Sequence, residues 1–492
     1  MTQTSPVLPE NISKEAVRGT AWNYLSFASG KLLNFISTLI LARLLVPDQF
    51  GLVAYCTIAI QYIDIINTAG IDSALIARKD KVEEAANSAF VSNIILGIFS
   101  FLGAWFAAPG IASFFKEPAI IPLLRLLAIN LPIGGLSLVP YTMLRRSLRF
   151  RTKLIPDVAS SLSKGFTSII LALLGFGPWS LIWGQIVGQV IGTVLAWLLA
   201  GWAPTRKFDG EATRDVLTFG GHIILVEIAG QLRNNVDYLI VGRVLGATVL
   251  GVYTLAYRIP ELAIRSFDRV IGGVSFPLLA QVQSNKDILK SAYLGYLRYV
   301  SLFTFSIGAG IAIISDLFVH TFLSSDWQDT VTPMALIAIA LAIMSVGHVP
   351  GIFYKAIGRP DILNRLSLLK LPIIIGIVWF ATRRGIVGVS IGQIVFAIFA
   401  VLMDSYIVSR IIKFPVIETV RALYPAFTCT ISMVFVTLLV KFLFSPSGFL
   451  GLFFVVSVGV LSFLVTLRLV EPELVKSVSN TVKNKVFQVK TV

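Results

Sequence analysis

One apolar segment of the sequence carries ionisable side chains whose spacing points to binding chemistry. Residues 249–279 are mostly hydrophobic, yet basic and acidic residues recur there, mainly at intervals of three or four positions. They are Arg258, Glu261, Arg265, Asp268 and Arg269. This spacing places the side chains on one face of a helix. Either the opposite charges neutralise one another and fix helix packing, or the excess of arginine forms a cationic wall for an anionic ligand.

Further ionisable residues interrupt other apolar segments. A charge in the middle of a membrane helix costs about 2.5–3.5 kcal/mol on the mildest insertion scale, so we expect these side chains to face a polar interior. Lys31 and Asp64 lie at similar depth in consecutive segments and could form a fixed structural pair or a proton-linked gate. The candidates for ligand binding in a cavity are Arg258, Arg265, Arg269, Lys31 and Arg233, and those for coupling or gating are Asp64, Glu227, Asp237, Glu261 and Asp268.

The composition requires most of these segments to cross a membrane. The chain has 492 residues, of which 56% are hydrophobic and 14% charged, and its mean hydropathy is +0.83. An ordinary soluble domain is roughly a quarter charged, so a soluble globular protein is excluded. Apolar runs of about 20 residues, the length that spans the hydrocarbon layer, recur along the whole chain. The predicted fold class is all-α, a polytopic membrane protein with fourteen transmembrane helices.

Basic residues are distributed unevenly between the two sides of these spans. The side of the N-terminus collects clusters such as Arg145, Arg146, Arg149 and Arg151, whereas the opposite side holds scattered cations. Cytoplasmic loops are the ones enriched in Lys and Arg, so both termini are predicted to be cytoplasmic. The formal net charge of +15 is therefore a signal of membrane orientation, and no nucleic acid partner is expected.

The sequence contains an internal repeat of about 200 residues, in which spans one to six recur as spans seven to twelve in the same orientation. The matching landmarks, at offsets of 200, 204 and 208 residues, are Arg43 and Gly51 with Arg243 and Gly251, Pro156-Asp157 with Pro360-Asp361, and Gly184-Gln185 with Gly392-Gln393. The predicted organisation is a cytoplasmic segment 1–18, a first six-helix half 19–202, a cytoplasmic linker 203–216, a second half 217–410, two added spans 411–470 and a cytoplasmic tail 471–492.

The sequence shows no sign of enzymatic or metal chemistry. Cys56 and Cys429 fall inside apolar runs and three histidines are scattered along the chain, so no spacing typical of a zinc site occurs. The connections between spans are too short for a catalytic domain and contain no nucleophile elbow or Walker sequence. We therefore predict a protein that is not an enzyme and that holds no metal or organic cofactor.

Several stretches of the sequence resemble a known family. They are Gly19-Thr-Ala-Trp22, Leu41-Ala-Arg-Leu-Leu45 with Phe50-Gly51, Asn235-Val-Asp-Tyr-Leu-Ile-Val-Gly-Arg-Val-Leu-Gly246, Leu250-Gly-Val-Tyr-Thr-Leu-Ala-Tyr257 and Phe276-Pro-Leu-Leu279. With the fourteen spans and the repeat, they make residues 19 to about 470 similar to the polysaccharide transporter branch of the multidrug/oligosaccharidyl-lipid/polysaccharide (MOP) flippase superfamily. The similarity is to its Wzx-type and colanic-acid-exporter members. These motifs lie at helix boundaries and packing positions, so they indicate the family rather than the substrate.

The resemblance implies two six-helix lobes that form a V around a cationic cavity in a bacterial inner membrane. It implies transfer of undecaprenyl-diphosphate-linked oligosaccharide to the outer leaflet for surface polysaccharide synthesis, by alternating access coupled to H⁺ or Na⁺. The implied partners are this substrate, membrane lipid and glycan polymerase or export machinery. Two alternatives stay open: a MATE-like exporter of drugs or cations, which the cationic excess within the spans disfavours, and a membrane-embedded glycan polymerase or ligase, which the short connections disfavour.

Overall fold

The computed structural model of the protein describes residues 29–473 except 69–74, 77, 79, 148, 206–209 and 284. This part of the chain is helical, with 3₁₀ segments at Ser325–Thr330 and Thr382–Arg384 and no β-strand among the residues described. The α-helices are α1 (29–44), α2 (Pro47–Thr68), α3 (Val82–Phe115), α4 (Ile120–Leu127), α5 (Asn130–Arg146), α6 (Phe150–Leu173), α7 (Pro178–Ala200), α8 (Gly210–Leu245), α9 (Ala247–Gln281), α10 (Lys286–Phe322), α11 (Val331–Ala356), α12 (Pro360–Ala381), α13 (Gly385–Ile412), α14 (Ile417–Phe444) and α15 (Gly448–Val470).

The apolar helices account for the membrane character of the chain. A helix satisfies its own backbone hydrogen bonds, as a segment surrounded by lipid must. Within the described residues, eight helical segments are long and apolar enough to cross a membrane. They are Val82–Phe115, Ile120–Arg146, Pro178–Ala200, Lys286–Phe322, Ser325–Ala356, Pro360–Ile412, Ile417–Phe444 and Gly448–Val470. The all-α membrane fold class is confirmed, and the exact number of fourteen spans stays a prediction.

The fourth predicted span contains a short turn. The sequence predicts one apolar span from Ala119 to Leu144 with places to bend at Pro132 and Pro140, and the structure separates α4 from α5 by a turn at residues 128 and 129. Pro132 lies in the first turn of α5, where its fixed φ and missing N–H suit a helix start. Pro140 lies inside α5 without ending it. The two turn residues keep helical φ and ψ, so the segment from Ile120 to Arg146 remains one candidate membrane span.

The chain divides into two compact units. The first comprises Met1–Asn235 and Gly246–Gly251, and the second comprises Val236–Leu245 and Val252–Val492. The division runs through α8 and α9, so each of these helices contributes to both units. The domain boundaries given above from the repeat stay predictions.

Small residues allow α6 and α7 to pack closely in the first unit. Gly184, Gly188 and Gly192 lie four residues apart on α7. A Cβ added at Gly184 would lie 1.9 Å from the hydroxyl oxygen of Ser168, and one added at Gly188 would lie 2.8 Å from Cβ of Lys164. Small residues at this spacing let two membrane helices approach closely. The contact fixes the polar face of α6, which carries Lys164, directly against α7.

The start of α2 crosses the start of α9 within the first unit. A Cβ added at Gly51 would lie 1.8 Å from the carbonyl oxygen of Ala247, and one added at Gly251 would lie 1.9 Å from the carbonyl oxygen of Pro47. Gly51 and Gly251 are 200 positions apart in the sequence, as are Pro47 and Ala247. Each helix start therefore contacts the other through equivalent positions. Both contacts thus join matching positions of the predicted repeat, and the repeat itself stays a prediction.

Ion pairs join α14 and α15 to α10 in the second unit. They involve residues near both ends of α10 and the residue that follows α15. Paired charges are the form in which ionisable side chains persist within a membrane, so these contacts anchor the two helices that follow the repeat. The pairs are Lys290 with Glu418 at 2.7 Å, Lys441 with Asp316 at 2.8 Å, and Arg298 with Glu471.

Candidate functional site

A polar cavity of about 320 Å³ lies inside the first unit. Helices α1, α2, α5, α6 and α7 all contribute to its wall, so the cavity is formed by tertiary packing of distant parts of the sequence. Most of the lining side chains are amides, hydroxyls or charged groups. The lining residues are Asn34, Ile60, Asp64, Asn130, Leu131, Gly134, Ser160, Ser161, Lys164, Gln185, Gly188 and Gln189.

Helical spacing brings these polar side chains to the wall. Ser160 and Lys164 lie four residues apart on α6, as do Gln185 and Gln189 on α7, so each pair shares one helix face. Gly188 lies between the two glutamines on α7. A Cβ added there would lie 2.8 Å from the carbonyl oxygen of Ser160 and from Cβ of Lys164. Glycine is therefore required for the approach of the two helices that shapes the cavity.

Asp64 and Lys164 are the acid and the base of the cavity wall. Both side chains are half-buried, and their opposite charges leave the wall near neutrality. The sequence predicted Asp64 as a coupling or gating residue, and the structure places it where a ligand or water can reach its carboxylate. Lys31 is exposed on α1, and its pairing with Asp64 stays a prediction.

Two asparagines of the wall differ in their hydrogen bonding. Asn34 donates its amide hydrogens to the carbonyl oxygen of Gly30 at 2.8 Å and to the hydroxyl of Ser161 at 3.5 Å. The side-chain oxygen of Asn130 is buried, and no donor reaches it from the described part of the chain. A buried acceptor without a donor is destabilising.

A second polar cluster joins α2 to the section of α8 that belongs to the first unit. Gln231 donates to the side-chain oxygen of Gln61 at 2.9 Å, and Asn235 donates to the same oxygen at 3.4 Å. The predicted residues Glu227 and Arg233 are exposed on α8. The structure thus keeps both of these charged side chains accessible.

Asp237 lies at the centre of a buried network in the second unit. Its side-chain oxygen accepts a hydrogen bond from the hydroxyl of Tyr253 at 2.8 Å and one from the amide of Gln393 at 2.9 Å. The Gln393 amide also lies 3.2 Å from the Tyr253 hydroxyl oxygen. Asp237 is only 4% exposed, so its carboxylate meets these neutral donors away from solvent. The predicted coupling residue is therefore a buried, hydrogen-bonded carboxylate.

The charged face of α9 lies partly in the second unit. Arg265 pairs with Glu261 at 3.5 Å, and the two side chains are 44% and 38% exposed. Arg258, about one turn before Glu261 and two turns before Arg265, is exposed. The side chains of Asp268 and Arg269 lie outside the described residues. A loose and accessible i,i+4 pair contributes little to stability, so the guanidinium of Arg265 retains donors for a ligand.

The site residues predicted from the sequence are all ionisable, because they were selected by their insertion cost, so several uncharged residues of both units were missed. A signal was present for two of them: Gln185 and Gln393 occupy matching positions of the repeat, and each is a glutamine within an apolar helix. Asn130, Gln189 and Tyr253 gave no comparable signal. Among the described residues no cluster of three or more His, Cys, Asp or Glu side chains could hold a metal ion.

Comparison with known protein families identifies the family of this chain. The model of a family described as polysaccharide biosynthesis protein matches residues 40–332, which is more than half of the sequence. The chain belongs to the polysaccharide biosynthesis protein family. The matched region runs from α1 to the start of α11 and includes most of the cavity wall and the described charges of α9.

Named relatives resemble most of the chain at low identity. The succinoglycan biosynthesis transport protein ExoT of Rhizobium meliloti is 24% identical over 358 residues, covering 73% of this chain and 72% of that protein. The lipopolysaccharide biosynthesis protein WzxC of Escherichia coli is 22% identical over 415 residues, covering 81% of this chain and 82% of that protein. The teichuronic acid biosynthesis protein TuaB of Bacillus subtilis is 23% identical over 355 residues, covering 72% and 73%.

Solved structures share the fold. The lipid II flippase MurJ in its inward closed conformation superposes with a TM-score of 0.74 at 15% identity, covering 93% of this chain and all of that one. An inward-facing multidrug resistance MATE transporter of the MOP superfamily gives 0.63 at 19% identity, covering 78% and 95%. The chain therefore shares the fold of these transporters, and the predicted resemblance to polysaccharide transporters agrees with the family that its sequence matches.

Proposed function

We propose that this protein is a flippase of the bacterial inner membrane that moves undecaprenyl-diphosphate-linked oligosaccharide from the cytoplasmic to the outer leaflet. The oligosaccharide would serve the synthesis of O-antigen, capsule or exopolysaccharide. The observation that carries the proposal is the accessible guanidinium of Arg265 on a helix of this family, paired only loosely with Glu261 at 3.5 Å. The names of the relatives, which include a succinoglycan transport protein, and the fold of a lipid flippase support it.

The arginine face of α9 suits the headgroup of such a lipid. A diphosphate that leaves water must exchange its hydration for other donors, and a guanidinium supplies two parallel charge-assisted hydrogen bonds. When the headgroup departs, Glu261 is one turn away and takes up the guanidinium of Arg265 again, so no unpaired charge is left behind. By their spacing in the sequence, Arg258 and Arg269 are predicted to share this helix face, and Lys31 and Arg233 are further candidate contacts.

Ion coupling, to H⁺ or Na⁺, is the second part of the proposal. Asp64, Glu227, Asp237, Glu261 and Asp268 are the candidate carboxylates. Asp64 is favoured as a proton carrier because it lines a cavity that water can occupy, whereas Asp237 already accepts two hydrogen bonds in a closed network. Alternating access would then expose Asp64 to one side of the membrane at a time.

Export of drugs or organic cations is the second candidate function, because a MATE transporter shares the fold with a TM-score of 0.63. An organic cation requires an acidic or aromatic pocket, since cationic side chains repel it. The exposed arginines of α9 oppose such a ligand. Lipid-linked substrate therefore fits the charge of this helix better.

Reconstitution into liposomes tests the proposal. The purified chain is incorporated with fluorescent undecaprenyl-diphosphate oligosaccharide, and dithionite quenching measures the fraction of lipid in the outer leaflet over time. Liposomes with the protein should exchange the lipid between leaflets faster than empty liposomes, and an imposed H⁺ or Na⁺ gradient should change the rate. Transport of an organic cation such as ethidium without movement of the lipid would select the MATE-like function instead.

A further inference from the structure

The cavity of the first unit carries a second binding function. We infer that it is a subsite for one sugar residue of the transported oligosaccharide, an inference that rests on the proposed function. The residues that would contact the sugar are Asn34, Asn130, Ser160, Gln185 and Gln189. This site is separate from the arginines of the α9 charged face, which would take the diphosphate.

The size of the cavity restricts what it can hold. Its volume of about 320 Å³ is at the lower end of the range of roughly 300–1,000 Å³ for small-ligand pockets. A single hexose ring fits this space, while several linked sugars do not. A bare ion would leave most of the volume to water.

The chemistry of the wall matches a sugar ring. A sugar hydroxyl donates one hydrogen bond and accepts others, so it requires partners of both kinds. The carboxamides of Gln185 and Gln189 each offer donors and an acceptor, and the hydroxyl of Ser160 offers both. Asn34 donates its amide hydrogens to Gly30 and Ser161, so it offers its side-chain oxygen. Ile60 contributes an apolar surface for the C–H groups of the ring.

Two carboxamides of the wall are spaced to contact one ligand. The amides of Gln185 and Gln189, one turn apart on α7, both line the cavity. A sugar hydroxyl placed between them would donate to the oxygen of one carboxamide and accept a hydrogen bond from the nitrogen of the other.

The charges of the wall argue against ionic ligands. Lys164 opposes a metal cation at the Asp64 carboxylate, and Asp64 opposes a free anion at the Lys164 ammonium. A neutral polyhydroxyl ring is compatible with both, because it hydrogen-bonds to either charge. A site of buried hydrogen-bonding groups also discriminates by hydroxyl position, since a misplaced hydroxyl leaves those groups unpaired. The cavity would therefore select among oligosaccharides that share the same lipid.

Cysteine protection tests the subsite directly. Ser161→Cys places a thiol in the wall, and the native Cys56 and Cys429 are buried, so background labelling is low. The purified protein is treated with a methanethiosulfonate reagent in the presence of glucose, galactose or N-acetylglucosamine. At least one of these sugars should slow labelling. Equal labelling with and without every sugar, which is the behaviour of a cavity filled by water only, would overturn the inference.

Glutamine variants give a second and independent readout. In the wild-type background, saturation-transfer NMR measures the affinity for the protecting sugar in Gln185→Leu and Gln189→Leu, with the exposed Gln281→Leu as matched control. Each cavity variant should weaken sugar binding by about tenfold or more, as expected when a polar contact is lost, and Gln281→Leu should not. Unchanged affinity in both cavity variants contradicts the subsite.

Two lipids separate this inference from the proposed function. The subsite predicts that Gln185→Leu slows movement of undecaprenyl-diphosphate oligosaccharide more than movement of sugar-free undecaprenyl diphosphate. If wild-type protein binds the free sugar yet moves neither lipid, the proposed function fails, and the cavity is a sugar site but not a subsite for a transported lipid. If it moves both lipids at the same rates in wild type and variant, the function stands and the subsite fails.

Discussion

Individual side chains show which parts of a site can be inferred from spacing. The four-residue interval between Glu261 and Arg265 predicted a pair on one helix face, and that pair is present at 3.5 Å. The contact between Asp237 and Gln393 could not be predicted in the same way, because 156 residues separate them and only the packing of the second unit brings them together. Local chemistry is readable from sequence, whereas partners on distant helices are not.

Removal of the Arg265 guanidinium should impair transport. In the liposome assay we expect Arg265→Ala to slow lipid movement by about 10- to 100-fold, the loss of one or two charge-assisted hydrogen bonds. Arg265→Lys should recover part of the rate, because it keeps the charge but loses the bidentate fork. The matched control is Arg383→Ala, an exposed arginine that lies over the ring of Phe380. A normal rate for Arg265→Ala at wild-type protein levels would assign the α9 pair a purely structural role.

Asp237 should be needed for stability in a way that its neutral amide can replace. Asp237→Ala leaves the buried donors of Tyr253 and Gln393 without an acceptor, at a cost of about 1–3 kcal/mol, so the midpoint of thermal unfolding in detergent should fall. Asp237→Asn retains a carbonyl oxygen and should unfold nearer to wild type. Asp329→Ala, at an exposed acid, is the control. Equal midpoints for all three variants would show that the network does not stabilise the second unit.

At the scale of helices, hydropathy predicts where apolar segments lie but not how they meet. The apolar run from Ala119 to Leu144 is visible in the sequence, while the turn at residues 128 and 129 that divides it is not. Gly51 and Gly251 were identified as matching positions of the repeat, yet their reciprocal approach to α9 and α2 required the structure. A repeat thus indicates which positions are equivalent before it is known that they touch.

The crossing of α2 and α9 should not tolerate a methyl group. Gly51→Ala would place Cβ 1.8 Å from the carbonyl oxygen of Ala247, so the backbones must separate. We expect a lower unfolding midpoint and a slower rate of lipid movement. Gly103→Ala is the matched control, since nothing lies within 4 Å of a Cβ added there and alanine favours the helix by up to about 1 kcal/mol. A Gly51→Ala protein as stable and active as Gly103→Ala would mean that the crossing yields without cost.

At the scale of the whole molecule, amino-acid composition was the strongest predictor of the membrane fold class. A chain that is 56% hydrophobic and 14% charged must expose apolar surface to lipid, and motifs near helix boundaries indicated the family that the comparisons then identified. The cavity in the first unit escaped prediction because five helices form its wall, and no one of them contributes more than two of its amides. The fold class and the family can be predicted from the sequence, whereas the residues that line the interior cavity depend on how the helices pack.

The orientation of the whole chain in the membrane is the remaining prediction. Basic clusters such as the one around Arg149 mark the cytoplasmic side, and Asp326 lies in a short segment on the opposite side. In intact cells an impermeant thiol reagent should therefore label Asp326→Cys and spare Arg149→Cys.

Both variants start from favourable positions, because the two side chains are exposed and the native cysteines are buried. Inverted membrane vesicles provide the control, since they should reverse the labelling pattern. Labelling of Arg149→Cys from outside intact cells would place the N-terminal side outside and reverse the direction in which the substrate is proposed to move. Labelling of both variants from the same side would contradict the predicted number of spans between them.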